Sequence, residues 1–252
     1  MRLRYPLDSE SGHSFEKAPR MRNLARTFTL LLAVGLAAPA FADDAKPFAD
    51  AKEINLLNLL PPPPANDSAQ TKAELGEILT LQVTRTPDMA ARAVADAEEN
   101  VWRFSDVIDN PKFTKENLPK FSAFFDRIVE TEGAVVDPAK DVWKRPRPHL
   151  YSDLVKPIVP LSKSGSYPSG HTTLGTLMGI VLSNMVPEKK AAIMTRAWEY
   201  GHNRIVGGIH YATDIEAGRI AGTVIAQTIT THEDYKAEYE DAREELRAAL
   251  GL

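Results

Sequence analysis

Pro168-Ser169-Gly170-His171-Thr172-Thr173-Leu174-Gly175-Thr176-Leu177-Met178-Gly179-Ile180-Val181-Leu182-Ser183-Asn184-Met185-Val186-Pro187 is the stretch whose pattern decides the fold. Leu174, Leu177, Met178, Val181, Leu182 and Met185 recur at i, i+3, i+4, i+7, i+8 and i+11, a single apolar stripe on a helix. Pro187 stops it, since proline lacks the N–H that the next turn needs. At the other end the helix opens on Ser169, Gly170 and His171. A helix start carries free N–H groups and the positive end of the macrodipole, so it attracts anions. Gly170 lets an oxyanion come close to the backbone, and Ser169 adds a hydroxyl donor. Taken alone, the same residues also describe a serine N-cap followed by a surface histidine.

Working outward, Glu188–Arg204 reads as a second helix that stops at Gly207-Gly208. A third starts near Thr213 and carries Gly218, Ala221, Gly222, Ile225 and Ala226, small residues that allow close helix packing. Asp234–Leu250 is highly charged and reads as a solvated helix held down by Tyr239, Leu246 and Leu250. Upstream, Leu118–Glu132 puts Phe121, Phe124, Phe125 and Ile128 on one face. Glu74–Thr84 and Pro87–Arg103 are rich in Ala, Glu, Leu and Arg and lack strand alternation. The expectation is an all-α fold: a single-domain helical bundle over 71–252, preceded by an arm at 43–70 whose Pro61–Pro64 run enforces extended polyproline structure.

Arg22 and Arg26 precede an apolar run from Phe28 to Ala38, followed by Ala40-Phe41-Ala42. That order describes a secretory signal peptide over 1–42, with Met21 as an alternative start, and a periplasmic or secreted destination. The run is short for a membrane span. Without residues 1–42, which carry six basic and three acidic side chains, the 30 Lys+Arg and 34 Asp+Glu of the whole chain become 24 and 31, a net charge of −7. Such a chain is a poor generic partner for nucleic acid or acidic membranes, so its cationic clusters need a local reason. Cysteine is absent, which fits export but leaves no disulfide to stabilise the fold. Apolar helix faces beyond the needs of the core are compatible with a homo-oligomer.

Two further fragments accompany Pro168–His171. Lys140 stands seven residues before Arg147-Pro148, and Arg204 stands six before His210, which precedes Asp214 by four. Lys140, Arg147 and Arg204 read as a phosphate clamp, because Arg offers planar bidentate donors and Lys a mobile point charge. An i, i+4 spacing on one helix face would let Asp214 accept from His210 Nδ1–H, leaving Nε2 as a nucleophilic lone pair. In the Trp143-Lys144-Arg145-Pro146-Arg147-Pro148 stretch, only the register through Arg147 has a lysine seven residues upstream. Lys144 and Arg145 then read as rim charges that draw in an anionic substrate. A metal site from His171, His202, His210 and Asp214 is the rival reading. It is disfavoured because His202 has the wrong phase and three cations would repel a metal.

Together the fragments resemble the signature of the type 2 phosphatidic-acid phosphatase superfamily, Lys-x6-Arg-Pro, Pro-Ser-Gly-His and Ser-Arg-x5-His-x3-Asp. Lys163–Thr172, the Leu59–Pro64 stretch and Glu199-Tyr200-Gly201 are similar to its soluble branch, the class A bacterial non-specific acid phosphatases. The resemblance implies a metal-independent, cofactor-free acid phosphatase acting on small phosphate monoesters, able to bind phosphate- or vanadate-like oxyanions, with phosphotransfer to alcohols as a further outcome. It implies His210 as nucleophile, Asp214 as its orienting carboxylate, and His171 as the acid for the leaving group. Lys140, Arg147, Ser169, Gly170 and Arg204 would hold the phosphoryl oxygens, and a bell-shaped pH–rate profile is expected. Lipid-phosphate phosphatases and vanadium haloperoxidases share the constellation and stand as alternatives. Asn203 replaces the family serine, and specificity is expected from the pocket rim in 85–135 and 149–167.

Overall fold

Ten α-helices make up the regular structure of residues 45–252, the part of the chain described by the computed structural model, and no strand occurs among these residues. The expected signal peptide and the alternative start at Met21 lie outside the described residues. The helices are α1 (Leu56–Leu59), α2 (Ala69–Thr84), α3 (Pro87–Ala95), α4 (Ser105–Ile108), α5 (Pro119–Trp143), α6 (Pro148–Tyr151), α7 (Gly170–Met185), α8 (Lys190–Val206), α9 (Ala212–Ile229) and α10 (Glu233–Leu250). No helix among the described residues is long and apolar enough to cross a membrane.

Their ends follow local chemistry. Ser68, Thr86 and Ser169 cap α2, α3 and α7, each accepting from a backbone N–H in the first turn. Pro87 and Pro119 begin α3 and α5, where a missing N–H costs nothing. The helix read from Pro87 to Arg103 is in fact broken after Ala95, and a 3-10 turn follows at Val101–Phe104. The cause is Asp96, which is fully buried and bound by Arg196, Arg103 and Asn203, so the chain turns inward there.

Helix α5 runs eleven residues beyond the expected stop at Glu132. Val135, Val136 and Ala139 continue its buried face. Pro138 lies inside it, and the carbonyl a proline leaves without its i→i−4 partner is that of Ala134. Ala51 N–H donates to this carbonyl at 3.2 Å. The segment before α2 therefore repairs the ladder that Pro138 breaks. Phe48 is buried nearby with its N–H on Thr131 Oγ1 (2.9 Å), and Tyr167 Oη donates to the Pro61 carbonyl at 2.7 Å.

Helix α7 is the axis of the bundle, covered chiefly by α8 and α9, with α5 and α10 completing the core. All six stripe residues are buried. Truncating one, Leu177→Ala for example, would cost about 2–5 kcal/mol. The small face of α9 lets backbones meet: a Cβ on Gly218 would fall 2.7 Å from Ser169 O, and one on Gly222 would fall 2.5 Å from Thr173 O. This crossing brings the first turn of α9 against the first turn of α7, which is where the site forms.

Candidate active site

A cavity of about 330 Å³ opens at the N-terminus of α7. Lys140, Arg147, Gly170, His171, Arg204 and His210 all line it, six of the eight residues singled out from sequence. They arrive from the end of α5, the loop before α6, the start of α7, the end of α8 and the loop before α9. Asp214 stands behind His210. Ser169 is fully buried and off the cavity wall: its Oγ caps α7, accepting from Thr172 N–H (3.3 Å) and Thr172 Oγ1–H (2.9 Å). The hydroxyl read as a donor to an oxyanion is thus engaged in shaping the helix start, and of the two residues it is Gly170 that lines the wall.

His210 does not share a helix face with Asp214. It precedes α9, with Tyr211 at the N-cap and Asp214 at the third helical position. The pair still meets, Nδ1 lying 3.2 Å from Asp214 Oδ2. On the other side of the ring, Arg147 Nη1 is 3.0 Å from Nε2. A guanidinium only donates, so Nε2 must present its lone pair and the proton must sit on Nδ1. Burial, with Arg147, Arg204 and Lys140 adding repulsion, holds the imidazole well below its usual range and keeps it neutral.

Asp214 is fully buried and accepts from Arg145 Nη1 at 2.6 Å and from Tyr211 N–H at 2.9 Å. Burial pushes its pKa up to about 7 while Arg145 pulls it down; with donors on both oxygens, the carboxylate is the form these contacts fit. Arg145 is the main correction to the sequence reading. It is buried, not a rim charge: besides Asp214 it binds Glu74 Oε2 at 2.9 Å and lies over the Tyr211 ring, 4.1 Å from its centroid. Glu74 Oε1 in turn accepts from Thr213 N–H at 2.9 Å.

His171 meets the opposite surroundings. Its Nδ1 is 2.8 Å from Glu99 Oε1 and its Nε2 is 3.1 Å from the Ala97 carbonyl. Both partners accept, so both ring nitrogens must carry protons for both contacts to form. Burial pulls its pKa down and Glu99 pulls it up, with a net lowering. The geometry asks for the cation and burial resists it, which makes Glu99 the group that decides. Glu99 itself is held below the usual carboxylate range against burial by His171, Lys140 and Arg204.

The clamp arginines are pressed together. Burial lowers Arg147, and burial lowers Arg204 to about 10 with Arg147 adding to the fall, though both remain charged near neutrality. Arg147 is anchored by Ser164 O at 3.0 Å, while Arg204 Nε is buried with no partner. Three cations around one cavity, one of them with a buried donor left unpaired, call for an anion. Among the described residues no three His, Asp or Glu side chains are grouped to hold a metal ion.

The sequence matches the PAP2 superfamily over residues 128–237. It is 30% identical to a non-specific acid phosphatase of Providencia stuartii, over 78% of this chain and 83% of that one. A non-specific acid phosphatase of Salmonella typhimurium is 29% identical over 81% of this chain and 86% of its own length. The chain belongs to the PAP2 superfamily, among its non-specific acid phosphatases. The fold is also similar to that of a bacterial vanadium-dependent iodoperoxidase, with a TM-score of 0.50 and 19% identity. The match covers 68% of this chain and 51% of the peroxidase, so the acid phosphatase spans about half that protein's length.

Within this acid phosphatase, Asn203 explains itself. Its Nδ2 donates to Asp96 Oδ2 at 2.8 Å, away from the cavity wall. Asp96 is the hinge of the loop that carries Ala97 and Glu99 to His171, so Asn203 reaches the site through that loop. The cavity walls outside the motifs come from Ala97, Glu99, Glu132, Asp137, Pro160, Leu161, Ser162, Ser164 and Ile209. All but Asp137 and Ile209 fall in the two segments expected to form the rim. Glu74, Asp96, Glu99 and Glu132 carried no sequence signal of their own: each is an acidic residue in a charged helix or loop until its partner is known.

Proposed function

We propose that this phosphoric monoester hydrolase transfers the phosphoryl group of its substrate first to His210 Nε2 and then to water. The observation that carries the reading is the opposite hydrogen bonding of the two histidines, a neutral ring with an outward lone pair and a ring with acceptors on both nitrogens. In the first step the Nε2–P bond forms as the P–O ester bond breaks, and the proton on His171 Nε2 leaves the Ala97 carbonyl for the departing alkoxide. Arg147 Nη1 shifts its hydrogen bond from Nε2 to a phosphoryl oxygen, freeing the nucleophile only when phosphate is there. In the second step water gives its proton to His171 as its oxygen bonds to phosphorus, and His210 leaves with its lone pair. Asp214 holds the Nδ1 proton throughout.

Three fixed cations and the Gly170 amide supply the charge stabilisation that phosphoryl transfer mostly consists of, so the reaction runs without a metal. An alcohol in the place of water takes the phosphoryl group instead, giving phosphotransfer. The protein acts after export, in the periplasm or outside the cell.

The deciding experiment assays the chain from residue 43 with p-nitrophenyl phosphate at pH 5–6 in excess EDTA, beside His210→Ala. Turnover that survives chelation and falls by about 10⁴-fold or more in the variant is expected. Unchanged turnover in His210→Ala would end the phosphohistidine reading, and loss on chelation alone would end the metal-free one.

A further inference from the structure

The cavity contains a buried acid that the mechanism above leaves idle. Glu132 projects from α5 about two turns before Lys140. It is 7% exposed, lines the cavity, and its Oε1 is buried without any hydrogen-bond partner. Gly170 fixes where that oxygen lies: a Cβ at this position would come within 2.9 Å of Glu132 Oε1 and within 2.9 Å of Lys140 Nζ. The carboxyl and the ammonium thus flank the first residue of α7, on the side where an oxyanion would rest. They are not an ion pair, because Lys140 Nζ is turned to Asp137 Oδ1 at 3.0 Å. An ionised carboxyl here would repel the oxyanion that every neighbouring donor is placed to receive. A protonated one would add a donor.

We propose that Glu132 is a phosphate-binding residue that acts as a neutral carboxylic acid, donating its O–H to a non-bridging phosphoryl oxygen beside Lys140 and the Gly170 amide. The proposal rests on the phosphatase reading of this cavity. Burial supports it by pushing Glu132 up to about 8, with Glu99 and Asp137 adding to the rise and Lys140 opposing it. The other ionisable neighbours around the cavity are His171 on α7, Arg204 on α8, Arg147 before α6 and His210 before α9. A bound phosphate adds negative charge, which raises Glu132 further and keeps its proton in place. Phosphate affinity therefore depends on a proton that the clamp cations do not supply.

Orthophosphate is the probe, with its affinity measured for the wild type, Glu132→Gln and Glu132→Leu at pH 6 and pH 9. At pH 6 Glu132→Leu, which loses the donor, should bind at least about tenfold more weakly, and Glu132→Gln, which keeps one, should restore most of that loss. At pH 9 the order of wild type and Glu132→Gln should reverse, the wild type having become anionic and weaker by about tenfold. Weaker binding by Glu132→Gln at both pH values would mean that an ionised Glu132 serves Lys140, and would overturn the proposal. So would a Glu132→Leu variant indistinguishable from wild type. If orthophosphate fails to bind the wild type at either pH, the phosphate assignment of the cavity falls and Glu132 falls with it. Tight wild-type binding that neither variant alters removes Glu132 alone.

Discussion

His210 has a carboxylate on one ring nitrogen and a guanidinium on the other, whereas His171 has an acceptor on each. The two rings line the same cavity, burial lowers the pKa of both, and yet their partners ask for different protonation states. What separates them is the second nitrogen. Arg147 on Nε2 makes the cation at His210 impossible to satisfy, and the Ala97 carbonyl on Nε2 gives the cation at His171 somewhere to point. The proposed roles of acid and nucleophile rest on these backing groups, so the proposal can be broken one partner at a time.

The largest effect should come from removing the proposed acid itself. His171→Gln should cost about 10²–10⁴ in rate on alkyl phosphates, whose leaving groups need a proton. In kcat/KM, which reports only the steps up to phosphoryl transfer onto His210, the loss should be far smaller on p-nitrophenyl phosphate, and equal losses in kcat/KM on both substrates would assign His171 elsewhere. Next is Arg145→Gln, which strands Asp214 and Glu74 as buried charges. Breaking such a pair costs about 3–5 kcal/mol of stability, and a misplaced nucleophile costs about 10²-fold in kcat. Denaturant melts beside kinetics test this, with KM nearly unchanged because the clamp is intact; a variant that lost KM alone would restore Arg145 to the rim.

A subtler lever acts on pH. Glu99 raises His171, so Glu99→Gln should move the alkaline limb of kcat/KM to lower pH, since the acid then loses its proton sooner. A limb that stays in place would show that Glu99 does not hold that proton. The smallest change is Asn203→Ser, which shortens the reach to Asp96 and loosens the loop bearing Glu99. It should alter kcat by less than about tenfold, and shift the same limb in the same direction as Glu99→Gln.

Sequence made some of this legible and hid the rest for identifiable reasons. The α7 stripe and the small face of α9 are periodic, so their packing could be read directly. That six of the eight candidate residues line one cavity could be anticipated because their spacing is unusual and their chemistry converges. Arg145 was misread because the lysine register of the Arg-Pro-Arg-Pro stretch selects Arg147 but leaves Arg145 without a role, which its contacts to Asp214 and Glu74 supply. The end of α5 was misplaced because Gly133 and Pro138 resemble breakers, and the hydrogen bond that rescues the helix comes from Ala51, 83 residues earlier than Ala134. The His210–Asp214 contact was foreseen with the wrong backbone, since i, i+4 spacing also fits a residue just ahead of a helix start.

That bond from Ala51 bears on where the chain can be trimmed. A shortened protein starting at Thr71 would retain all the motif residues and helices α3 to α10, with α2 clipped at its start. It would also leave the Ala134 carbonyl bare, nearly two turns before Lys140, and uncover the surface that Phe48 and Leu56 seal. Such a truncation would be felt as a frayed helix under the lysine of the clamp. The minimal working unit of this enzyme therefore begins well ahead of its first long helix, and expression vectors or fusion partners should be joined upstream of Phe48.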